Sequence, residues 1–174
     1  MNTKNNKRRR ESVEKIEKAF VELLQNRDIK EISISEICTM TGLNRSTFYA
    51  NFIDIYDLAE KLMKDLQSEF SEVFADYDYY NEQTGAQRMF EHIKDNQLFY
   101  KTYFKLEEII SSDWLPYDPQ RAIHSFGNDK NMKYHIEFFR SGLNAIIKLW
   151  LIGGCVESPE EMSQILKTEY KGRY

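Results

Sequence analysis

Residues 42 to 52 read GLNRSTFYANF, and they indicate how the N-terminal part of the chain folds. Gly42 can end one helix in the left-handed conformation, and Asn44 can cap a second helix that runs to about residue 52. The second helix has few apolar side chains to bury, so its other side chains must project elsewhere. Those side chains are Arg45, Ser46, Thr47, Tyr49 and Asn51.

The segment before Gly42 predicts two more helices. Apolar residues from Val13 to Leu24 recur at steps of three and four, which is typical of a helix with one buried stripe. Ser33 and Glu36 have the spacing of a capping box, so a short helix begins there. Two short helices joined by a glycine turn and supported by a third predict a helix-turn-helix, whose second helix enters the major groove of DNA.

The side chains of the second short helix have the chemistry that reads DNA. Arginine pairs with guanine, asparagine pairs with adenine, and the threonine methyl group contacts thymine. Tyrosine and serine hydroxyls bond to phosphates. Short helix pairs with a polar face also occur in helical proteins that do not bind DNA, so this pattern alone leaves both interpretations open.

Charge is unevenly distributed along the chain. The 174 residues carry a net charge of −4, which by itself argues against nucleic-acid binding. Residues 1–50, however, hold 10 Lys and Arg against 7 Asp and Glu, whereas residues 51–174 hold 14 against 21. Residues 1–10 contain five basic side chains and no acid, and we predict a flexible basic arm drawn to polyphosphate. The alternative is a solvated terminus without a partner.

The remainder of the chain predicts helices and no strands. Asp54 begins a long linking helix over residues 55–77, and a polar loop follows at 78–86. Residues 113–131 contain two prolines and a glycine and are predicted to be mostly loop. Tyr134 to Ile152 is apolar enough for a buried helix that ends at Gly153-Gly154. Ser158, followed by proline and two glutamates, begins the last helix.

We therefore predict an all-α chain with three parts. A flexible basic arm occupies residues 1–10, and a three-helix helix-turn-helix DNA-binding domain occupies 11–54. A helical-bundle C-terminal domain for dimerisation and effector binding occupies 55–174.

Several classes of protein and site have no support in the sequence. Cys38 and Cys155 are far apart and lack metal-ligand spacing, which favours a reduced, cytoplasmic protein. The three histidines lack metal-ligand spacing, and no catalytic motif is present, so we predict no metal, no cofactor and no enzymatic activity. No apolar run approaches the roughly 18 residues of a membrane span, and no signal peptide begins the chain.

The order of residues from Val13 to Leu62 resembles the DNA-binding domain of TetR-family transcriptional regulators. The motif elements that carry this resemblance are Ile37-Cys38, Thr41-Gly42-Leu43, and the core formed by Thr47, Tyr49 and Phe52. Tyr134 to Leu166 is similar to one C-terminal type in the same family. The resemblance implies a repressor that binds a near-palindromic operator as a homodimer and is released by a small molecule or a partner. A helical protein-protein adaptor that retains the DNA-binding fold is the alternative.

The resemblance also implies which residues carry the function. The predicted DNA contacts are Ser35, Arg45, Ser46, Thr47, Tyr49 and Asn51. Ile55 stands where family members usually carry a lysine that binds a backbone phosphate.

Two further sites are predicted from apolar residues of the C-terminal part. An aromatic cluster predicts an effector pocket or, as the alternative, plain core; its members are Tyr100, Tyr103, Phe104, Trp114 and Phe138. A predicted dimer interface combines a small residue with apolar neighbours, namely Gly142, Leu143, Ile146 and Trp150.

Overall fold

The computed structural model describes residues 3–74, 85–110 and 130–170, and every regular element in these ranges is helical, as predicted. The helices are α1 (Thr3–Asn26), a 3-10 turn (Ile29–Glu31), α2 (Ile34–Thr41), α3 (Arg45–Tyr49), α4 (Ile55–Phe74), α5 (Gly85–Asp95), α6 (Gln97–Ile109), α7 (Met132–Ile152) and α8 (Pro159–Tyr170). Gly85 and Ala86, predicted to be loop, begin α5 instead. The remainder of that loop and most of the loop predicted at 113–131 lie outside the described residues.

The described residues form two compact units. The first comprises residues 3–68 and 102–110, and the second comprises 69–74, 85–101 and 130–170. Helices α4 and α6 each contribute residues to both units. The bounds of these units differ from those of the predicted domains because residues 55–68 of α4 and the C-terminal part of α6 belong to the first unit.

The core of the first unit is built on the apolar stripe of α1. Ile16, Phe20 and Leu24 are buried along one face of that helix, as their spacing predicts. Helix α1 packs against α2, and α2 packs against α3. Burial of each large apolar side chain stabilises the fold by about 1.5–3 kcal/mol, so this stripe holds the short helices α2 and α3 in place.

A side chain of helix α6 caps the C-terminal end of α1. The last carbonyl groups of a helix have no partner within the helix itself. The ammonium group of Lys105 donates to the carbonyl oxygens of Leu24 and Gln25, both at 2.5 Å. The Gln25 side chain in turn donates to the Thr102 hydroxyl at 3.0 Å. These bonds attach residues 102–105 to the first unit.

The start of α2 confirms half of the predicted capping box. The Ser33 hydroxyl accepts a hydrogen bond from the Glu36 backbone N–H at 3.2 Å. The Glu36 carboxylate instead binds the Arg27 guanidinium at 2.6 Å, and the same guanidinium donates to the Glu31 carbonyl. A charge-assisted bond to arginine is stronger than one to a neutral backbone group, so Arg27 takes the glutamate away from the cap.

The second unit contains α7, α8 and α5. Helix α5 packs against α8, and the Trp150 ring of α7 meets the Phe90 ring edge-on at 5.4 Å between centroids. The Trp150 indole N–H donates to the Glu157 carbonyl at 3.2 Å. Helix α7 ends at Ile152, as predicted from the two glycines that follow, and Gly154 has φ 81°.

The capping box predicted at the start of α8 is complete. The Glu161 carboxylate accepts from the Ser158 backbone N–H at 2.7 Å, and the Ser158 hydroxyl accepts from the Glu161 N–H at 3.1 Å. The pKa of Glu161 lies below its ordinary value, because Ser158 donates to the carboxylate, first through its backbone N–H and then through its hydroxyl group, and so favours the charged form.

Candidate nucleic-acid interface

The turn between α2 and α3 depends on Gly42. Its φ of 69° and ψ of 17° place it in the left-handed region, and the Leu43 N–H closes the turn on the Cys38 carbonyl at 3.1 Å. A Cβ atom at this position would meet nothing within 4 Å. The glycine is therefore needed for its backbone conformation and not to make room for a neighbour.

Helix α3 is shorter than the sequence predicts. It covers Arg45–Tyr49, and Ala50 and Asn51 form a turn after it. Asn44 occupies the capping position but its side chain forms no capping hydrogen bond; its backbone carbonyl accepts from the Thr47 N–H at 2.9 Å.

Two phenylalanines anchor this short helix from behind. Phe48 and Phe52 are buried, and their rings lie 5.5 Å apart between centroids. Arg45 and Ser46 are exposed, Tyr49 is 56% exposed, and Thr47 is half-buried. Helix α3 thus buries an aromatic side and presents a polar side that carries four of the predicted DNA contacts.

Ser35 lies on α2, where its hydroxyl accepts a hydrogen bond from the Arg45 guanidinium. Both residues belong to the set predicted to contact DNA. The bond uses one of the five N–H donors of the arginine, so the others remain for a base or a phosphate. Ser35 therefore orients Arg45 in the free protein.

Asn51 is held by three different groups. Its amide nitrogen donates to the Thr47 carbonyl at 2.9 Å, and its amide oxygen accepts from Arg9 Nε at 2.9 Å. Its backbone carbonyl accepts from the Lys61 ammonium group at 3.0 Å. The residue is half-buried in the turn after α3, so the structure does not bring it onto the exposed side of that helix.

Arg9 and Lys61 are neighbours of the site that the sequence analysis missed. The sequence spacing could have indicated the position of Arg9. This residue lies seven residues before Ile16, so it falls on the same face of α1 as the buried stripe, further toward the N-terminus. Lys61 also binds the Asp57 carboxylate at 2.8 Å, and its ammonium group lies 5.2 Å from the centre of the Phe52 ring.

The basic segment is helical. Helix α1 begins at Thr3, so Lys7 to Arg10 lie in its first turns, where the sequence predicts a flexible arm. Lys7 pairs with Glu11 at 3.9 Å and Arg10 pairs with Glu14 at 3.6 Å, both at the surface. Exposed ion pairs of this kind contribute little to the stability of the fold, so the basic side chains can exchange these glutamates for other partners.

A core residue, Ile55, occupies the position at which TetR-family members usually carry a phosphate-binding lysine. Ile55 is buried at the start of α4. Asp54 caps that helix by accepting from the Asp57 N–H at 2.8 Å, as predicted, and the Asp57 carboxylate accepts from the Ile53 N–H at 2.8 Å. The bonds from Lys61 and Ile53 lower the pKa of Asp57, so the turn into α4 carries a carboxylate at neutral pH.

The predicted effector residues occupy different environments. Tyr100 is buried in the second unit, where its hydroxyl lies 2.8 Å from Nδ1 of His92, and burial lowers the pKa of that histidine. Tyr103 and Phe104 are buried in the first unit, whereas Phe138 on α7 is 62% exposed. Trp114 lies outside the described residues.

The predicted dimer residues also separate. Leu143 and Trp150 are 2% and 3% exposed, so they belong to the core of their own unit and not to a free surface. Gly142 and Ile146 are half-buried beside them. The opposite face of α7 carries exposed residues that we name the α7 outer stripe: Tyr134, Phe138, Ala145, Leu149 and Ile152.

In the described ranges, no group of three or more His, Cys, Asp or Glu side chains could hold a metal ion. None of the helices described is both long enough and apolar enough to cross a membrane.

Known proteins resemble this chain in sequence and in fold. Residues 117–171 match a family model described as a transcriptional regulator C-terminal region of the TetR type. The HTH-type dhaKLM operon transcriptional activator DhaS of Lactococcus lactis subsp. lactis (strain IL1403) is 30% identical over 94 residues. These residues make up 53% of this chain and 49% of that protein, so the chain spans about half the length of this relative.

A solved structure extends the likeness to the fold. The dihydroxyacetone kinase operon activator DhaS matches with a TM-score of 0.51 and 20% identity, covering 93% of this chain and 95% of that one. At this identity the structural match supports the fold alone. The chain is thus similar to TetR-type transcriptional regulators in the sequence of its C-terminal region and to one transcriptional activator over about half of its length, and its helical fold resembles that of a solved operon activator.

Proposed function

We propose that the protein binds a specific site in duplex DNA through α3, as a homodimer, and so regulates transcription. The observation that carries this proposal is the two-sided character of α3. Phe48 fixes the helix to the core while Arg45, Ser46 and Tyr49 are left exposed on a polar surface. A helix that is anchored from behind and polar in front can enter a major groove without rearrangement.

Each exposed side chain of α3 has a proposed role. Arg45, oriented by Ser35, pairs with a guanine edge, because arginine can donate two parallel bonds to that base. Tyr49 and Ser46 donate their hydroxyl groups to phosphates, which fixes the register of the helix on DNA without reading sequence. Thr47 contacts a thymine methyl group from the edge of the same surface.

Homodimer formation is proposed through the α7 outer stripe. Leu149 is 73% and Ile152 is 83% exposed, and both lie on one face of α7 with Tyr134. Val156 and Ile165 add exposed apolar surface at the end of α7 and on α8. These exposed side chains replace Leu143 and Trp150 as the proposed interface, because exposed apolar surface gains free energy when a second copy covers it.

Two-fold symmetry fixes the form of the DNA site. A homodimer carries two copies of α3, so the site has two inverted half-sites about one helical turn apart, roughly 34 Å, or a multiple of that distance. The operator is therefore proposed to be near-palindromic.

The sign of regulation has two candidates. The sequence analysis predicts repression, in which the bound dimer blocks a promoter. Activation is the second candidate, and the sequence resemblance to a relative named as an operon activator favours it. A reporter gene with the selected site in its native position distinguishes them, since deleting the regulator raises expression in the first case and lowers it in the second.

A small molecule or a partner is proposed to release the dimer from DNA. Of the predicted effector residues, Tyr100 and Phe138, which both belong to the second unit, stay the proposed effector set. An effector must bind the DNA-free state more tightly than the DNA-bound state, because equal affinity for both would shift nothing.

Selection of bound fragments from random duplex DNA tests the proposed function. We expect the full-length chain to enrich an inverted repeat, and a scrambled duplex of the same composition to bind more weakly. Dimer formation without any DNA affinity at low salt would instead support the adaptor alternative.

A further inference from the structure

The bond between Arg9 and Asn51 joins two segments that are 42 residues apart in sequence. Arg9 lies on the second turn of α1, and Asn51 lies in the turn directly after α3. The bond uses Arg9 Nε only. No described residue binds the Nη groups of Arg9, and the side chain is exposed.

Asn51 is suited to hold another group in place. Its amide nitrogen is tied to α3 through the Thr47 carbonyl, and its backbone carbonyl is tied to α4 through Lys61. With both of these bonds made, the amide oxygen has a fixed position, and it is this oxygen that accepts from Arg9. A base-reading asparagine would need both amide groups free to pair with adenine.

We propose that Asn51 is a positioning residue: it holds Arg9 beside the end of α3, where the Nη groups of Arg9 bind a DNA phosphate. The inference rests on the proposed function. The inference gives Arg9 the contact to the DNA phosphate backbone that Ile55 cannot make, since Ile55 is buried and uncharged.

Neighbouring basic residues do not share this arrangement. Lys7 and Arg10 pair with glutamates one turn further along α1. Arg9 lies on the face of α1 that carries Ile16, whereas its sequence neighbours are turned away from that face by about 100° each. Arg10 therefore serves as a matched control, because its replacement removes the same charge from an adjacent exposed position.

The experiment measures binding of the full-length chain to the selected duplex and to a scrambled duplex between about 50 and about 200 mM salt, where the slope of log K against log salt counts phosphate contacts. The variants are Arg9→Ala, Asn51→Ala, the double variant, and Arg10→Ala. We expect Arg9→Ala to reduce the slope by about 2 in the homodimer, one phosphate per half-site at about 0.9 each. The ratio of affinities for the two duplexes should stay at the wild-type value.

Asn51→Ala should reproduce the reduced slope, and the double variant should lose no more than either single variant, because both remove the same contact. Arg10→Ala should change the slope by less than half as much. The melting temperature of each free variant checks that it is folded, and Arg9→Ala tests the phosphate contact even if Asn51→Ala unfolds.

Two results would overturn the inference while leaving the proposed function intact. One is an unchanged salt slope in Arg9→Ala. The other is an Asn51→Ala variant that changes base preference at one position and adds fully to Arg9→Ala, as expected of a base reader. A wild-type chain that binds neither duplex would remove the proposed function and this inference together.

Discussion

The two helices proposed to meet partners, α3 and α7, expose surfaces of opposite character. Helix α3 is five residues long and exposes charged and hydroxyl-bearing side chains around Arg45 and Tyr49. Helix α7 is 21 residues long and exposes apolar side chains such as Leu149 and Ile152. Polar groups are well solvated in the free protein, whereas exposed apolar surface costs about 25 cal/mol per Å², so we expect α7 to be covered permanently and α3 only when DNA is present.

The largest expected effect tests the α7 side of this comparison. Leu149→Glu places a carboxylate on the outer stripe, and burying an unpaired charge in a dimer should cost about 3 kcal/mol or more. This corresponds to a roughly 100-fold rise in the dimer Kd, measured by sedimentation. Binding to the selected DNA site should fall in parallel, since one α3 helix alone covers one half-site.

A matched control separates this effect from a general effect of charge. Gln164→Glu adds one carboxylate at an exposed position of α8, about 100° around the helix from Ile165. It should leave the dimer Kd within about a factor of 2 of the wild type, because exposed surface substitutions usually change stability by less than about 0.5 kcal/mol. A Leu149→Glu chain that stays dimeric at the same concentration would end the proposal for the outer stripe.

A smaller effect tests the α3 side. Arg45→Ala should cost about 1–3 kcal/mol in each half-site and relax base preference at one position, because it removes a base contact. Tyr49→Phe should weaken binding to the selected and scrambled duplexes by the same factor, because it removes a phosphate contact. The affinity ratio for the two duplexes is the measurement. An Arg45→Ala variant that keeps the wild-type ratio would contradict the proposed role of this residue.

Features that depend on neighbouring residues were predictable from the sequence. The stripe of α1, the glycine turn at Gly42, the cap at Asp54 and the complete box at Ser158 all follow from side chains a few residues apart. The character of α3 follows in the same way, because Phe48 and Phe52 leave only one side for the polar residues.

Features that depend on distant residues were not predictable in this way. Glu36 has the local sequence of a capping residue, but Arg27 on the preceding segment binds it. Asn51 resembles a base reader in sequence, but Arg9 and Lys61 reach it from two other helices. The helical spacing of α7 predicts two faces, yet only tertiary packing, such as the contact of Trp150 with Phe90 of α5, decides that Trp150 lies inside and Leu149 outside.

The pKa of one glutamate is shifted in opposite directions in the two units. In the first unit Glu17 on α1 is half-buried, and burial, with Asp65 and Glu14 nearby, raises its pKa above the usual range. In the second unit the pKa of Glu161 is lowered by its bonds to Ser158. Ionisation therefore costs free energy in the first unit and stabilises the second.

The smallest expected effect is a difference in the pH dependence of stability between the two units. Because the pKa of Glu17 is raised in the folded chain, its contribution to the free energy of unfolding is fully present below its pKa in the unfolded chain. That contribution is lost as pH rises through its pKa in the folded chain. Glu17→Gln should therefore be more stable than the wild type at neutral pH, and the gain should vanish on acidification. A lowered pKa gives Glu161→Gln the opposite sign: a loss at neutral pH that vanishes as pH falls through the folded pKa. Thermal melts of both variants and the wild type from neutral to acidic pH measure these differences, and two variants that shift in the same direction at neutral pH would contradict the assignment.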